Sequence, residues 1–139
     1  MYWRLLFSLL ACLYINVLSA QFYHDHFSIY DTLRGSITEA RSSYDVISYE
    51  LDIKLFIERR EIRGSNNIMF EALKYMDSLQ LDLFSNMYID SIVFLNENIS
   101  FRRDSNVVYV YFPWSLLRGT VNFIKVYYNG IPQEAKNPP

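Results

Sequence analysis

Few residues in this chain of 139 are able to do chemistry, and their spacing decides what they can do. His24 and His26 are the only histidines, and in an extended segment their side chains point the same way and could share a metal ion. Without a third ligand, a pair in an N-terminal segment is more simply solvated. Cys12 is the single cysteine and falls in the signal peptide read over residues 1–20, so the mature chain is expected to have neither a thiol nucleophile nor a thiolate ligand. Glu50, Asp52 and Glu58 fall on one strand face, where spacing by two gives a solvated polar row rather than an acid and base pair. Arg59, Arg60 and Arg63, and Arg102 with Arg103, cluster at turns and could hold an anion, although solvated hairpin tips are the simpler reading. Val107 to Trp114 could stack sugar rings or peptide side chains, yet aromatics in alternating strands more often form core and cross-strand pairs. Asn98-Ile99-Ser100 matches a glycosylation sequon, meaningful in a eukaryotic secretory pathway. No catalytic, cofactor-binding or metal residue is assigned.

The elements that must carry these residues follow from composition and period. With 51% hydrophobic and 17% aromatic residues the chain can bury a core, and a net charge of −2 offers no basic field for nucleic acid or an anionic membrane. Residues 1–20 read as a signal peptide: Arg4 gives the positive start, Leu5 to Leu18 the apolar run, and Ser19-Ala20 the small residues before cleavage. The chain is therefore expected to be exported, periplasmic or extracellular. The run is short for a transmembrane helix and Asn16 interrupts it, so no stable membrane insertion is expected. Leu9-Leu10-Ala11-Cys12 loosely resembles a lipobox, which makes a lipid anchor a minor alternative. Residues 21–43 lack sustained periodicity and read as an N-terminal leader crossing the surface.

From Tyr44 the period becomes two. Tyr49, Leu51, Ile53, Leu55 and Ile57 alternate with Glu50, Asp52, Lys54, Phe56 and Glu58, which predicts a strand with one face on a core and one in water. Arg59-Arg60-Glu61 breaks it, and Ile62 to Ala72 alternates again, so the pair reads as a hairpin. Leu79 to Leu83, with Ser78, Gln80 and Asp82 on the polar side, and Met87 to Leu95 follow. Asn96-Glu97-Asn98 turns the chain back through Ile99 to Arg102. Val107 to Phe112, ended by Pro113, and Val121 to Tyr128, closed by Asn129-Gly130, complete about seven strands. Helical period is absent apart from a short turn around Ser115 to Leu117. The fold class is all-β, an antiparallel β-sandwich or saddle-like sheet.

Several spaced motifs carry a resemblance. Tyr44-Asp45-Val46, Tyr49-x-Leu51-Asp52-Ile53, Ile62-x-Gly64 with Ile68-x-Phe70, and Leu79-x-Leu81-Asp82-Leu83 occur in order. Ile89-x-Ser91-Ile92, Val110-Tyr111-Phe112-Pro113, Gly119, and Val126-Tyr127-Tyr128-Asn129-Gly130-Ile131-Pro132 follow in the same order. Together residues 44–139 resemble the opening N-terminal β domain of the aminopeptidase N family of zinc metallopeptidases. The resemblance implies a scaffold that packs on a zinc catalytic domain and closes one side of its substrate cleft. It also implies that zinc and peptide substrates belong to the full-length family, where His-Glu-x-x-His and a later Glu hold the metal. This chain carries neither that motif nor a Gly-Ala-Met-Glu-Asn-type loop, so no cofactor is expected in it. The family's domain continues for several strands past the Pro138-Pro139 position, so the resemblance implies a fragment of that domain. The alternative is a free-standing secreted β-sandwich that binds a protein or glycan partner through Val107 to Trp114.

Overall fold

The computed structural model describes Thr32 and residues 35–134. The signal peptide over residues 1–20, Cys12, the His24 and His26 pair and Pro138-Pro139 lie outside the described residues. A short helix, α1 (Glu39–Ser42), precedes eight strands: β1 (Tyr44–Phe56), β2 (Glu61–Ala72), β3 (Met76–Asp82), β4 (Met87–Phe94), β5 (Glu97–Asn98), β6 (Phe101–Asp104), β7 (Val107–Leu116) and β8 (Val121–Gly130). They form a five-stranded sheet in the order β1-β2-β8-β4-β5 and a three-stranded sheet in the order β3-β7-β6. Every pairing is antiparallel. The all-β sandwich expected from the alternation is what forms.

The turns follow from local chemistry. β1 and β2 are joined by a 3-10 turn, Ile57–Arg59, which Arg60 ends in the left-handed conformation while its N–H donates to the Ile57 carbonyl. β4 reverses at Leu95-Asn96, both at positive φ, and pairs Phe94 with Glu97. Two left-handed central residues give the turn twist that matches twisted strands. The reversal therefore falls one residue earlier than Asn96 to Asn98. Pro113 does not end β7. Tyr111 pairs with Ser78 and Leu116 with Met76, so the residues between form a bulge, where a missing N–H costs no ladder bond. The turn expected at Ser115 to Leu117 is absorbed largely into this strand.

The sheets meet on one face each. Phe70, Ile68, Ile124, Val126 and Ile92 from the larger sheet pack against Leu79, Val108, Val110 and Phe112 from the smaller one. Ring contacts run through the core from Tyr44 to Phe70, Phe112, Phe94 and Trp114, with neighbouring centroids 5.1–6.0 Å apart. Separations of this size suit edge-to-face and tilted rings. Gly64 lets β1 and β2 approach, since a Cβ there would sit 2.1 Å from the Asp52 carbonyl oxygen.

One expectation is overturned. Tyr49, Leu51, Ile53 and Leu55 lie across from Ile68, Asn66, Gly64 and Ile62, on the core-facing side of the large sheet. They are nonetheless 44–67% exposed, and Ile57 is 87% exposed in the turn. The 13-residue β1 is an edge strand, longer than β3 (7 residues), β7 (10) and β6 (4), and only its start, at Tyr44 and Val46, packs against the core, so the small sheet covers one end of it. The apolar row overhangs its cover. Alternation correctly gives the face, but which part of a face is covered depends on the length of the opposing layer.

Candidate functional site

A cavity of about 330 Å³ lies between residues of the two sheets. The large sheet lines it with Tyr49, Asn66, Ile68, Val126 and Tyr128. The small sheet supplies Leu81 and Val108, and Arg41, Tyr44 and Asp82 form the rim. Period two produces this set, because Leu81 pairs with Val108 on one sheet and Asn66 with Val126 on the other.

The rim is fixed by hydrogen bonds that link the residues before β1 to β3. Thr38 precedes α1 in extended geometry but makes no side-chain cap. Its hydroxyl donates instead to Gln80 Oε1 at 2.7 Å. The Tyr44 hydroxyl donates to the Gln80 carbonyl at 2.6 Å, and Arg41 pairs with Asp82. Gln80 is 1% exposed, although the alternation of β3 put it on the polar side. That side is polar and yet covered, because Thr38 and α1 lie over it. Burial, and then the neighbouring Tyr49 phenol, push the Tyr44 phenol up to about 12. The Tyr128 phenol is likewise raised by burial. Two atoms of lining residues, Asn66 Oδ1 and Arg41 Nε, are buried without a hydrogen-bond partner. Both atoms are closed off from the cavity space, which is lined by a mixture of apolar, amide and charged side chains.

The other candidates are dispersed or already engaged. Arg59 and Arg63 both pair with Glu61, holding its carboxyl below the usual range mainly through the Arg63 hydrogen bond, and Arg60 pairs with Glu134. Arg59 and Arg63 also lie 4.7 and 5.4 Å from the Phe56 ring centroid. Each of the three cations is thus already paired, with two of them sharing one carboxylate. Arg102 lies 4.8 Å from the Tyr109 ring centroid and its Nε reaches the Tyr111 hydroxyl at 3.5 Å.

Arg103 is no solvated tip. Its guanidinium donates to the carbonyls of Leu83 and Phe84 at 2.6 and 2.7 Å, of Ser105 at 2.9 Å, and of Met87. It thereby ties the β6–β7 hairpin to the loop before β4 and to the large sheet. Burial lowers its pKa. Of the aromatic run, Val107, Val108, Val110 and Phe112 are buried, leaving Tyr111 and Trp114 exposed as a fragmentary platform. Glu50 accepts from the Asn67 amide at 3.3 Å, and Glu58 leaves the row because it falls in the 3-10 turn. Asn98 of the sequon is exposed in β5.

Neither the known protein families nor the curated proteins yield a match to this chain. Solved structures do. An M1 zinc metallopeptidase from Deinococcus radiodurans superposes with a TM-score of 0.61 at 18% identity, covering 67% of this chain and 22% of that one. A variant M1 zinc metallopeptidase from the same organism, bound to a Tyr-Ser-Ala substrate, gives 0.61 at 18% identity over 68% and 22%. A two-domain M1 zinc metallopeptidase variant bound to tryptophan gives 0.61 at 18% identity over 70% and 23%. The chain thus has the fold of a region of M1 zinc metallopeptidases and spans less than a quarter of their length. Its described residues do not fit zinc. They contain no histidine or cysteine, and no three metal-ligating side chains converge among them.

Proposed function

We propose that this chain is the non-catalytic N-terminal β domain, in part, of an exported zinc aminopeptidase-like protein. In this reading it packs on a zinc catalytic domain and helps to shape the substrate cleft, while zinc and peptide substrates belong to that other domain. One observation carries it: the ordered motifs from Tyr44 to Pro132 fall on the strands and turns of a fold shared with M1 zinc metallopeptidases. The overhanging apolar row of β1 supports it too, because an uncovered face of this kind suits a further layer of structure. Export rests on residues 1–20, with cleavage after Ala20 and a lipid on Cys12 as the lesser alternative.

The test pairs the full chain with an M1 catalytic region from the same genome that lacks its own β domain. A stable complex with increased hydrolysis of aminoacyl chromogenic substrates is expected, and the chain alone should show no chelator-sensitive turnover. Absence of both complex and stimulation would sink the scaffold reading, and metal-dependent turnover by the chain alone would overturn its non-catalytic role. Mass spectrometry of the secreted protein should find Gln21 first, and an intact Met1 there would contradict cleavage.

The cavity between the sheets favours a second reading, a free-standing secreted β-sandwich that binds a protein or glycan partner. Its lining supports that reading, because Tyr49, Asn66 and Tyr128 stand beside the charged Arg41 and Asp82. Ligand protection of these residues in the absence of any catalytic domain would favour it over the scaffold.

A further inference from the structure

The free edge of β1 is suited to a second copy of itself. Among the described residues β1 pairs only with β2, so its outer N–H and C=O groups face away from the sheet. Native edge strands usually deter such pairing with prolines, bulges, short length or charged side chains; on β1 the charges, Glu50, Asp52 and Lys54, are of both signs and so select a register rather than forbid pairing. From Ser48 to Phe56 this edge has no proline and no bulge, and its single irregularity lies before Ser48.

We infer that two copies of this chain pair antiparallel along β1, about a two-fold axis through Ile53, extending the large sheet across both molecules. The register follows from charge. Around Ile53, Asp52 of each copy faces the partner's Lys54, so two opposite-charge pairs form. On the other face Ile53 meets the partner's Ile53, and each Leu51 meets the partner's Leu55. Moving the axis to Asp52 would set Glu50 against the partner's Lys54, but at the cost of Asp52 directly opposite the partner's Asp52 at the centre. Moving it to Leu51 would place Glu50 opposite the partner's Asp52. Like charges directly opposite destabilise a strand pair, so the Ile53 axis is preferred. Within one molecule Lys54 already lies across from Arg63, a like-charge neighbour that an incoming carboxylate offsets. An isologous contact of this kind closes after two copies. It also makes the apolar row continuous between molecules, where Leu51 and Leu55, 58% and 67% exposed, gain partners.

Sedimentation equilibrium of the full chain across a wide concentration range tests this. A monomer–dimer equilibrium is expected. Lys54→Glu should weaken it at least about tenfold, because two attractive cross-strand pairs become repulsive. The same substitution faces Arg63 within its own molecule, so the monomer keeps its fold, which circular dichroism checks. The double change Asp52→Lys with Lys54→Glu restores opposite charges across the Ile53 axis and should restore dimerisation. A monomer at every concentration overturns the inference. So does a dimer indifferent to Lys54→Glu, or one that the double change fails to restore, since association would then run through another surface or register.

Discussion

Replacing Arg103 tests whether one side chain holds the two sheets in register. The guanidinium donates to four backbone carbonyls, those of Leu83, Phe84, Met87 and Ser105. Phe84 is exposed and Ser105 belongs to a hairpin turn, so water can replace the bond at each. Leu83 is half-buried and Met87 buried, so their carbonyls are the ones left short of partners. A hydrogen bond to a charged group contributes about 1.5 kcal/mol at the low end, so losing these two costs roughly 3 kcal/mol. Arg103→Met keeps most of the apolar stem and isolates that loss. Arg103→Lys retains charge but not the planar fork, and should recover less than half. Urea unfolding of the full chain, followed by circular dichroism, should move the midpoint down with little change in slope. A loss below about 0.5 kcal/mol for Arg103→Met, or a lysine variant equal to the parent, would refute the argument. The exposed-tip reading would then return.

Gly64→Ala should destabilise by at least about 2 kcal/mol, since the added methyl meets the Asp52 carbonyl oxygen at 2.1 Å and backbone must move; thermal unfolding measures it. Phe70→Ala removes the ring between Tyr44 and Phe112 and should cost about 3–5 kcal/mol by the same assay. The Tyr44 phenol, raised to about 12 by burial, binds its proton more tightly folded than unfolded, where it titrates near 10. Its contribution is thus complete below about pH 10 and lost as pH rises through 12, and Tyr44→Phe should flatten that part of the alkaline stability profile. At neutral pH the same substitution should cost about 1 kcal/mol for the bond to the Gln80 carbonyl.

How far the sequence reaches can be judged strand by strand. β2, β4 and β8 were legible because branched and aromatic residues alternate between turn residues whose backbone preferences are local. The β1–β2 hairpin was legible for the same reason, although its turn runs from Ile57 to Arg60, two residues earlier than the polar break at Arg59-Arg60-Glu61, and Glu61 opens β2. Coverage was not, because it depends on another layer: Ile53 is as apolar as Leu79 and alternates as regularly, yet Ile53 is 44% exposed and Leu79 is buried completely. Gln80 shows the converse, a polar residue buried because Thr38, 42 positions away, supplies a hydroxyl to its amide oxygen.

The cavity residues were hidden in the same manner. Tyr49, Asn66 and Tyr128 are ordinary members of three separate strands, and only the order β1-β2-β8 brings them together on one wall. Arg103 offered a partial signal, because an arginine before a tight turn has carbonyls within reach, but those it uses belong to Leu83, Phe84 and Met87 as well as to the turn. Local pattern therefore fixes which way a side chain points, while topology decides what it meets. The overhanging row of β1 lies between the two: its direction is set by alternation and its exposure by the shortness of the opposing sheet. A second β1 paired about the Ile53 axis lengthens this row and matches the charges of the opposite face, while the face of the row itself stays open to a further layer.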